Sequence, residues 1–428
     1  MNQRPLHLQF VLTSLPIGGA EMLLLNLIKA MDRINFCPEI VCLKEAGELG
    51  PEFAKHVPVH SHLIGNKYDV SVLFRLKRLF QKRSADAVIT VGAGDKMFWG
   101  RLAASLARIP VVCSALHSTG WPDGVGKLNR LLTPITDGFI AVAKSHADYL
   151  VQSEGFPVER VFTIPNGVDT QRFVLDSSMR GWLRRTLNLP EHSRLVGIVA
   201  ALREEKNHSQ FINAACQVQK LLPETHFVIV GDGPERQKIE TEIADSGIQS
   251  HFHLLGSRQD TPRILAGLDV FCLTSKNEAN PVSILEAFSC GVPVVSSNVG
   301  SICETVLPET TGLLTKPLNA SETASALCRL LENPGLASQL GRNGRNRVVA
   351  NCSLQSMVQG YQSLIQRLYN MKAKYKGSEA WIPSPVGHAK HNDPGLSEGR
   401  FAEPVSSTLT TPLTGASLPY VEGSRSTN

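Results

Sequence analysis

Glu278 and Glu286 are separated by seven residues, among them Asn280, Pro281 and Val282, which read as the start of a helix just after a strand expected over 270–273. Asn280 suits a capping position and Pro281 a first helical one. A helix that begins at the carboxyl edge of a sheet turns unpaired N–H groups outward, and its dipole favours negative charge, so the arrangement suits a diphosphate. At 1.5 Å per residue Glu286 lies about 7.5 Å along the axis from Pro281. The two carboxylates can thus serve different parts of one elongated ligand, although either alone also fits a solvated face. Gly231 and Gly233 follow a later strand and Gly18-Gly19 the first one, and glycines there let the chain pass close to a ligand; a tight turn accounts for them equally well. His117 follows the strand expected over 111–115, at an edge that faces a cleft, and a structural histidine bonded to a loop carbonyl is the plain alternative. Trp121, Asp123 and Lys127 come shortly after, with no spacing that demands a pocket.

Short β-rich runs alternating with amphipathic helical stretches must hold these groups in place. Strands are expected over 6–13, 39–43, 87–91, 111–115 and 139–143, with helices such as 20–31 and 96–107 between them. The alternation pauses at Pro165-Asn166-Gly167, passes a helical stretch over 179–187, and resumes with strands over 195–201, 226–230, 251–254, 270–273 and 292–296. This is the pattern of an α/β fold with two doubly wound parallel-sheet, Rossmann-like domains, 1–170 and 171–350, facing across a cleft. An apolar helical pattern from Leu354 to Leu368 lies in the segment 351–376, and the last 52 residues, 377–428, hold 25 Pro, Gly, Ser or Thr and read as a disordered tail.

Composition removes several classes of function. The 428 residues are 42% hydrophobic and 19% charged, with no apolar run close to the ~18 residues of a membrane span. The opening segment carries one cation, Arg4, and its apolar stretch is broken by His7 and Gln9, so it reads as a strand rather than a secretory signal, and the expected location is the cytoplasm. Nine cysteines without a C-x-x-C pair suit buried thiols rather than disulfides or a zinc site. A net charge of +5 without a long basic run gives no support to nucleic-acid binding.

Taken together, an ordered set of segments resembles the retaining glycosyltransferases of family 4, the glycosyl transferases group 1, which have the GT-B fold. The set comprises Gly18-Gly19-Ala20-Glu21, Ile164-Pro165-Asn166-Gly167-Val168-Asp169, Glu205-Lys206-Asn207-His208, Gly231-Asp232-Gly233-Pro234, the E-x7-E pair Glu278 and Glu286, and Gly291-Val292-Pro293-Val294-Val295. It covers roughly residues 6 to 370. The resemblance implies a nucleotide diphosphate sugar held by the second domain and a hydroxyl acceptor, such as a lipid-linked or polysaccharide precursor, on the first. It also implies roles: Lys206 neutralises the diphosphate, Glu278 hydrogen-bonds the transferred sugar, Glu286 binds the ribose hydroxyls, and His117 stands beside the sugar. Fixed cations act where the departing diphosphate gains charge. Relatives carry an arginine five residues before the lysine, where this chain has Ala201, and Arg203 on the same loop is the expected substitute. In relatives the last helix crosses back to the first domain; by pattern alone it can equally close the second. Alternatives within the same fold are a sugar-nucleotide epimerase or hydrolase, and a catalytically inactive sugar-nucleotide-binding subunit.

No D-x-D occurs, and no His, Asp or Glu cluster has metal-ligand spacing, so no metal is expected. No carboxylate couple suits double displacement either, which favours front-face substitution. Residues 71–83 form a basic amphipathic helix with apolar Val72, Leu73, Leu76, Leu79 and Phe80 and five cations; it either packs on its sheet or rests peripherally on the anionic inner face of a membrane.

Overall fold

The computed structural model describes residues 4–66, 69–117 and 126–376, without the side chains of 126–128 and 375–376. Trp121, Asp123, the side chain of Lys127 and the tail 377–428 lie outside the described residues. Two parallel sheets build two lobes, both within the compact unit Met1–Glu379. The first holds β1 (Leu6–Leu12), β2 (Phe36–Cys42), β3 (Val59–His60), β4 (Ala87–Val91), β5 (Val111–Ala115), β6 (Gly138–Ala141) and β7 (Val161–Thr163), in the order β3-β2-β1-β4-β5-β6-β7. The second holds β8 (Arg194–Val199), β9 (Thr225–Val230), β10 (Phe252–Leu254), β11 (Val270–Leu273), β12 (Val294–Ser297) and β13 (Gly312–Thr315), in the order β10-β9-β8-β11-β12-β13.

Strand periodicity decides how the first lobe is layered. Leu8, Phe10 and Leu12 of β1, Ala87, Ile89 and Val91 of β4, and Val111, Cys113 and Ala115 of β5 share one face, packed under the helix Gly19–Ala30. Val11, Val88 and Val112 fall on the other, under the helices Val72–Lys82 and Asp95–Leu106. Such alternation follows from successive side chains pointing to opposite faces. Polar groups on that second face find partners within it: Gln9 donates to Glu39 at 2.8 Å, and the hydroxyls of Thr90 and Ser114 meet at 2.8 Å.

The final helix, Leu354–Lys376, returns to the first lobe, where Met357, Val358, Tyr361, Leu364, Ile365 and Leu368 complete the core on the β1 side. Its start lies against the outgoing crossing: Val168 N donates to Cys352 O at 2.9 Å and Leu354 N to Val168 O at 2.8 Å. The basic helix packs on its sheet through Val72, Leu76 and Phe80, which leaves Phe74 66% exposed beside exposed Arg78 and Lys82.

In each sheet the connections leave in opposite directions around a central pair, β1 with β4 and β8 with β11. Ligands of doubly wound sheets bind in the crevice outside the strand carboxyl ends at that reversal. The loops after β1, β4, β5, β8 and β11 therefore frame the site.

Candidate active site

After β8 the chain makes a tight turn, Glu204–Lys206, before the helix His208–Leu221. Asn207 joins them in the left-handed conformation (φ 51°), which asparagine tolerates better than most residues. The loop after β11 grips this turn: Lys276 N donates to Glu205 O at 2.8 Å, Thr274 Oγ1 to Asn207 O at 3.0 Å, and Lys276 Nζ to Glu204 at 2.9 Å. As a result Lys206 Nζ reaches Glu278 Oε1 at 2.5 Å, and Ser275 Oγ donates to the same oxygen at 2.7 Å. The two residues assigned separate roles from the sequence thus neutralise one another. Arg203 is exposed, with Glu205 at 4.0 Å as its ion-pair partner.

His208, directly after this turn, is 3% exposed and neither ring nitrogen has a partner among the described residues. Burial and then the Lys206 charge lower its pKa to about 4, with Glu235 opposing. It stays neutral beside the lysine at ordinary pH.

Asn280 and Pro281 behave differently from expectation. The helix is Val282–Ser289, and Pro281 is its N-cap rather than its first residue. Asn280 does not cap: its Nδ2 donates to Thr305 Oγ1 at 3.1 Å, and its buried Oδ1 has no partner among the described residues. A proline at the cap supplies no side-chain acceptor, so no side chain caps the first turn. Val282 packs against the core of the first lobe. Glu286 is half-buried on this helix, and burial lifts its pKa from 4.5 to about 7, with Arg172 as the opposing charge.

Gly231 (φ 141°) and Gly233 (φ 157°) answer to the backbone beside them. A β-carbon on Gly231 would fall 1.9 Å from Ala200 O, and one on Gly233 2.5 Å from Leu202 O. This close contact lays the Ala200–Arg203 segment in place, with Leu202 N bonded to Asp232 O at 3.0 Å. In the first lobe, Gly18 leaves room for Glu21, whose carboxylate would lie 2.4 Å from a Gly18 β-carbon, whereas a β-carbon on Gly19 would meet open space. Burial raises the Glu21 pKa against the pull of its own N–H, Lys96 and Arg203, so the two lobes' loops come within electrostatic reach.

His117 is half-buried after β5. Burial and the neighbouring His146 lower its pKa to about 4, and a hydrogen bond with the Asn166 side chain opposes them. Asn166 also donates to Asn280 O across the lobes at 2.7 Å. From the sequence Asn166 reads only as part of a boundary motif; nothing in its spacing signalled a bridge. Glu304, also absent from the sequence reading, accepts from Lys144 N at 2.8 Å and Ser145 N at 2.6 Å in the other lobe.

Among the described residues, no group of three His, Cys, Asp or Glu could hold a metal ion, and no helix is long and apolar enough to cross a membrane.

The sequence model of Glycosyltransferase Family 4 matches residues 17–172, and that of Glycosyl transferases group 1 matches 181–347. The chain is 27% identical over 364 residues to the UDP-Gal:alpha-D-GlcNAc-diphosphoundecaprenol alpha-1,3-galactosyltransferase of Escherichia coli, covering 81% of this chain and 93% of that protein. It is 26% identical over 294 residues to a GDP-mannose-dependent alpha-(1-6)-phosphatidylinositol monomannoside mannosyltransferase of Mycolicibacterium smegmatis, covering 66% of this chain and 76% of that one. A crystal structure of HepE from Anabaena in complex with UDP superposes with a TM-score of 0.74 at 21% identity, covering 85% of this chain and 100% of that chain. With its paired parallel sheets in the GT-B arrangement, the chain belongs to the group 1 glycosyl transferases of glycosyltransferase family 4.

Proposed function

We propose that this enzyme moves a sugar from a nucleotide diphosphate donor to a hydroxyl acceptor with retention of anomeric configuration. Residues 1–170 act as the acceptor-side domain and 171–350 as the donor-side domain. The observation that carries the reading is the Lys206–Glu278 pair at 2.5 Å, set where β8 and β11 diverge and linked through Asn280 and Asn166 to His117 of the other lobe. In this reading Lys206 and Arg203 counter the diphosphate, Glu278 accepts from hydroxyls of the transferred sugar, Glu286 holds the ribose, and His117 lies beside the sugar. The glycosidic bond to phosphate breaks as the acceptor oxygen bonds the same face, and the acceptor proton passes to the departing diphosphate. Residue cations carry the charge, and no metal takes part.

Two relatives bear on the partners. The Escherichia coli protein is named for a UDP-sugar and a diphosphoundecaprenol acceptor, the Mycolicibacterium one for GDP-mannose and a phosphatidylinositol mannoside. A lipid-linked or polysaccharide precursor in cell-envelope synthesis is the acceptor class they support for this chain. The exposed Phe74 with Arg78 and Lys82 then offers a peripheral contact with an anionic membrane from the cytoplasmic side.

The test is a thermal-shift screen of UDP- and GDP-sugars, since a ligand at a hundred times its dissociation constant stabilises by about 2.7 kcal/mol. Product from the stabilising donor is then analysed by NMR for its anomeric configuration. An inverted product overturns retention, and stabilisation by no sugar nucleotide or nucleoside diphosphate overturns the donor site.

A further inference from the structure

The helix Lys144–Gln152 begins without a cap of its own. Its N-cap residue is Ala143, which has no side-chain acceptor, yet the first N–H groups of a helix need partners. They find them in the opposite lobe. Both oxygens of Glu304 are used, one accepting from Lys144 N at 2.8 Å and the other from Ser145 N at 2.6 Å, while Ser145 Oγ donates to Ser301 Oγ at 2.8 Å. A carboxylate at a helix N-terminus also meets the positive end of the dipole. Burial pushes the Glu304 carboxyl up, and the bonds from Ser145 and Lys144 outweigh it, leaving its pKa below the ordinary value.

The segment carrying Glu304 also grips the loop of Glu278. Ser301 N donates to Glu278 O at 3.0 Å, Thr305 Oγ1 accepts from Asn280 Nδ2 at 3.1 Å, and Gly300, with φ of 53°, sits so close that a β-carbon would fall 1.9 Å from Glu278 O. On the capped helix, the third residue is His146, buried and in electrostatic contact with His117. Residues 300–305 therefore touch the supports of both halves of the candidate site.

We propose that Glu304 is a positioning residue: by capping the Lys144–Gln152 helix from the other lobe, it sets the donor-side Glu278 loop in register with His117. The catalytic part of this statement rests on the transferase reading above; the cap does not. Both cap donors are backbone N–H groups, so a change of side chain other than to proline leaves them in place, and Glu304 is the side chain to vary.

The test compares full-length wild type with Glu304→Gln and Glu304→Ala. Hydrogen exchange at the Lys144 and Ser145 amides reads the cap, and melting temperature reports the fold. Capping contributions imply that exchange there rises roughly two- to thirtyfold in Glu304→Ala, with Glu304→Gln, which keeps one acceptor oxygen, in between. Steady-state transfer with the donor found in the screen should show kcat falling in the same rank order, with donor KM within about twofold, because the donor is held by the second lobe. Unchanged exchange in Glu304→Ala overturns the cap. Faster exchange with unchanged kcat overturns the positioning role, as does a loss that tracks melting temperature alone. If wild type turns over no sugar nucleotide, the transferase reading and the positioning role fall, and the two amides still decide the cap.

Discussion

Lys206 and Glu278 come from different loops of the second lobe and meet at 2.5 Å, each largely shielded from water. In the free enzyme the lysine is already neutralised, so on the proposed reading a diphosphate shares it with, or takes it from, the carboxylate. Glu278→Gln should therefore bind UDP or GDP about three- to tenfold more tightly while transferring sugar more slowly, and Lys206→Ala should lose both. Calorimetric titration with the nucleoside diphosphates checks this; weaker binding by Glu278→Gln would remove the competition from the account.

On the proposed reading Arg203 stands in for the arginine that relatives carry where this chain has Ala201. It is exposed and held by a 4.0 Å contact with Glu205, so little opposes its reorientation toward an incoming phosphate. Arg203→Ala should lower kcat/KM roughly ten- to a hundredfold, with Arg203→Lys recovering part of the loss, since a lysine lacks the fork that matches two phosphate oxygens. Normal kinetics in Arg203→Ala alongside an inactive Lys206→Ala would leave Lys206 as the sole cation.

Glu286 titrates in a usable range. Burial raises its pKa from 4.5 to about 7, so the folded protein holds this proton more tightly than the unfolded chain does. Its contribution to folding is greatest below 4.5 and is lost as pH rises through about 7. Glu286→Gln, which cannot ionise, should gain on wild type in melting temperature between pH 5 and 8, by about two to four degrees at the upper end. A difference that stays flat across this range would mean the carboxylate is not strained by burial.

Gly231 and Gly19 should separate packing from ligand approach. Gly231→Ala drives a methyl to 1.9 Å from Ala200 O at a φ of 141° and should cost at least about 2 kcal/mol in urea unfolding. Gly19→Ala meets open space and should unfold like wild type. A rise in donor or acceptor KM in that stable variant would mark the Gly19 backbone as a ligand contact.

In the proposed mechanism Lys206, Arg203 and backbone N–H groups supply the positive charge, so transfer should persist in excess EDTA. Activity lost to EDTA and restored by magnesium or manganese would contradict this.

The α/β grammar was legible where strands are central and buried on both faces: 87–91, 111–115 and 270–273 agree to the residue with β4, β5 and β11. Of the edge and short strands, β10 was foreseen over 251–254, but β3 and β13 were not. Val59–His60 has two residues and no period to detect, and Gly312–Thr315 sits between turn-like residues, so only pairing to β12 makes it a strand. At the site, Glu278 and Lys206 could be named because their segments carry a pattern, but their ion pair depends on Thr274 and Lys276 bonding the turn after β8. Asn280 looked like a cap because cap statistics are local, whereas its actual partner, Thr305, lies 25 residues away. Asn166 and Glu304 act across 114 and 160 residues of chain, respectively, and no local rule reaches that far.

The return of the helix Leu354–Lys376 matters for biosynthesis as well as for the finished molecule. Its Tyr361, Leu364 and Ile365 cover the same face of the first sheet as Leu8 and Phe10 do from within, yet among the described elements it is the last to leave the ribosome. Until then the first lobe, though translated earliest, presents an uncovered apolar face. A nascent chain halted near Cys352 should engage holding chaperones and resist protease poorly. The first lobe cannot complete its core until the helix Leu354–Lys376 has emerged, so folding of the earliest-made lobe waits on one of the later elements.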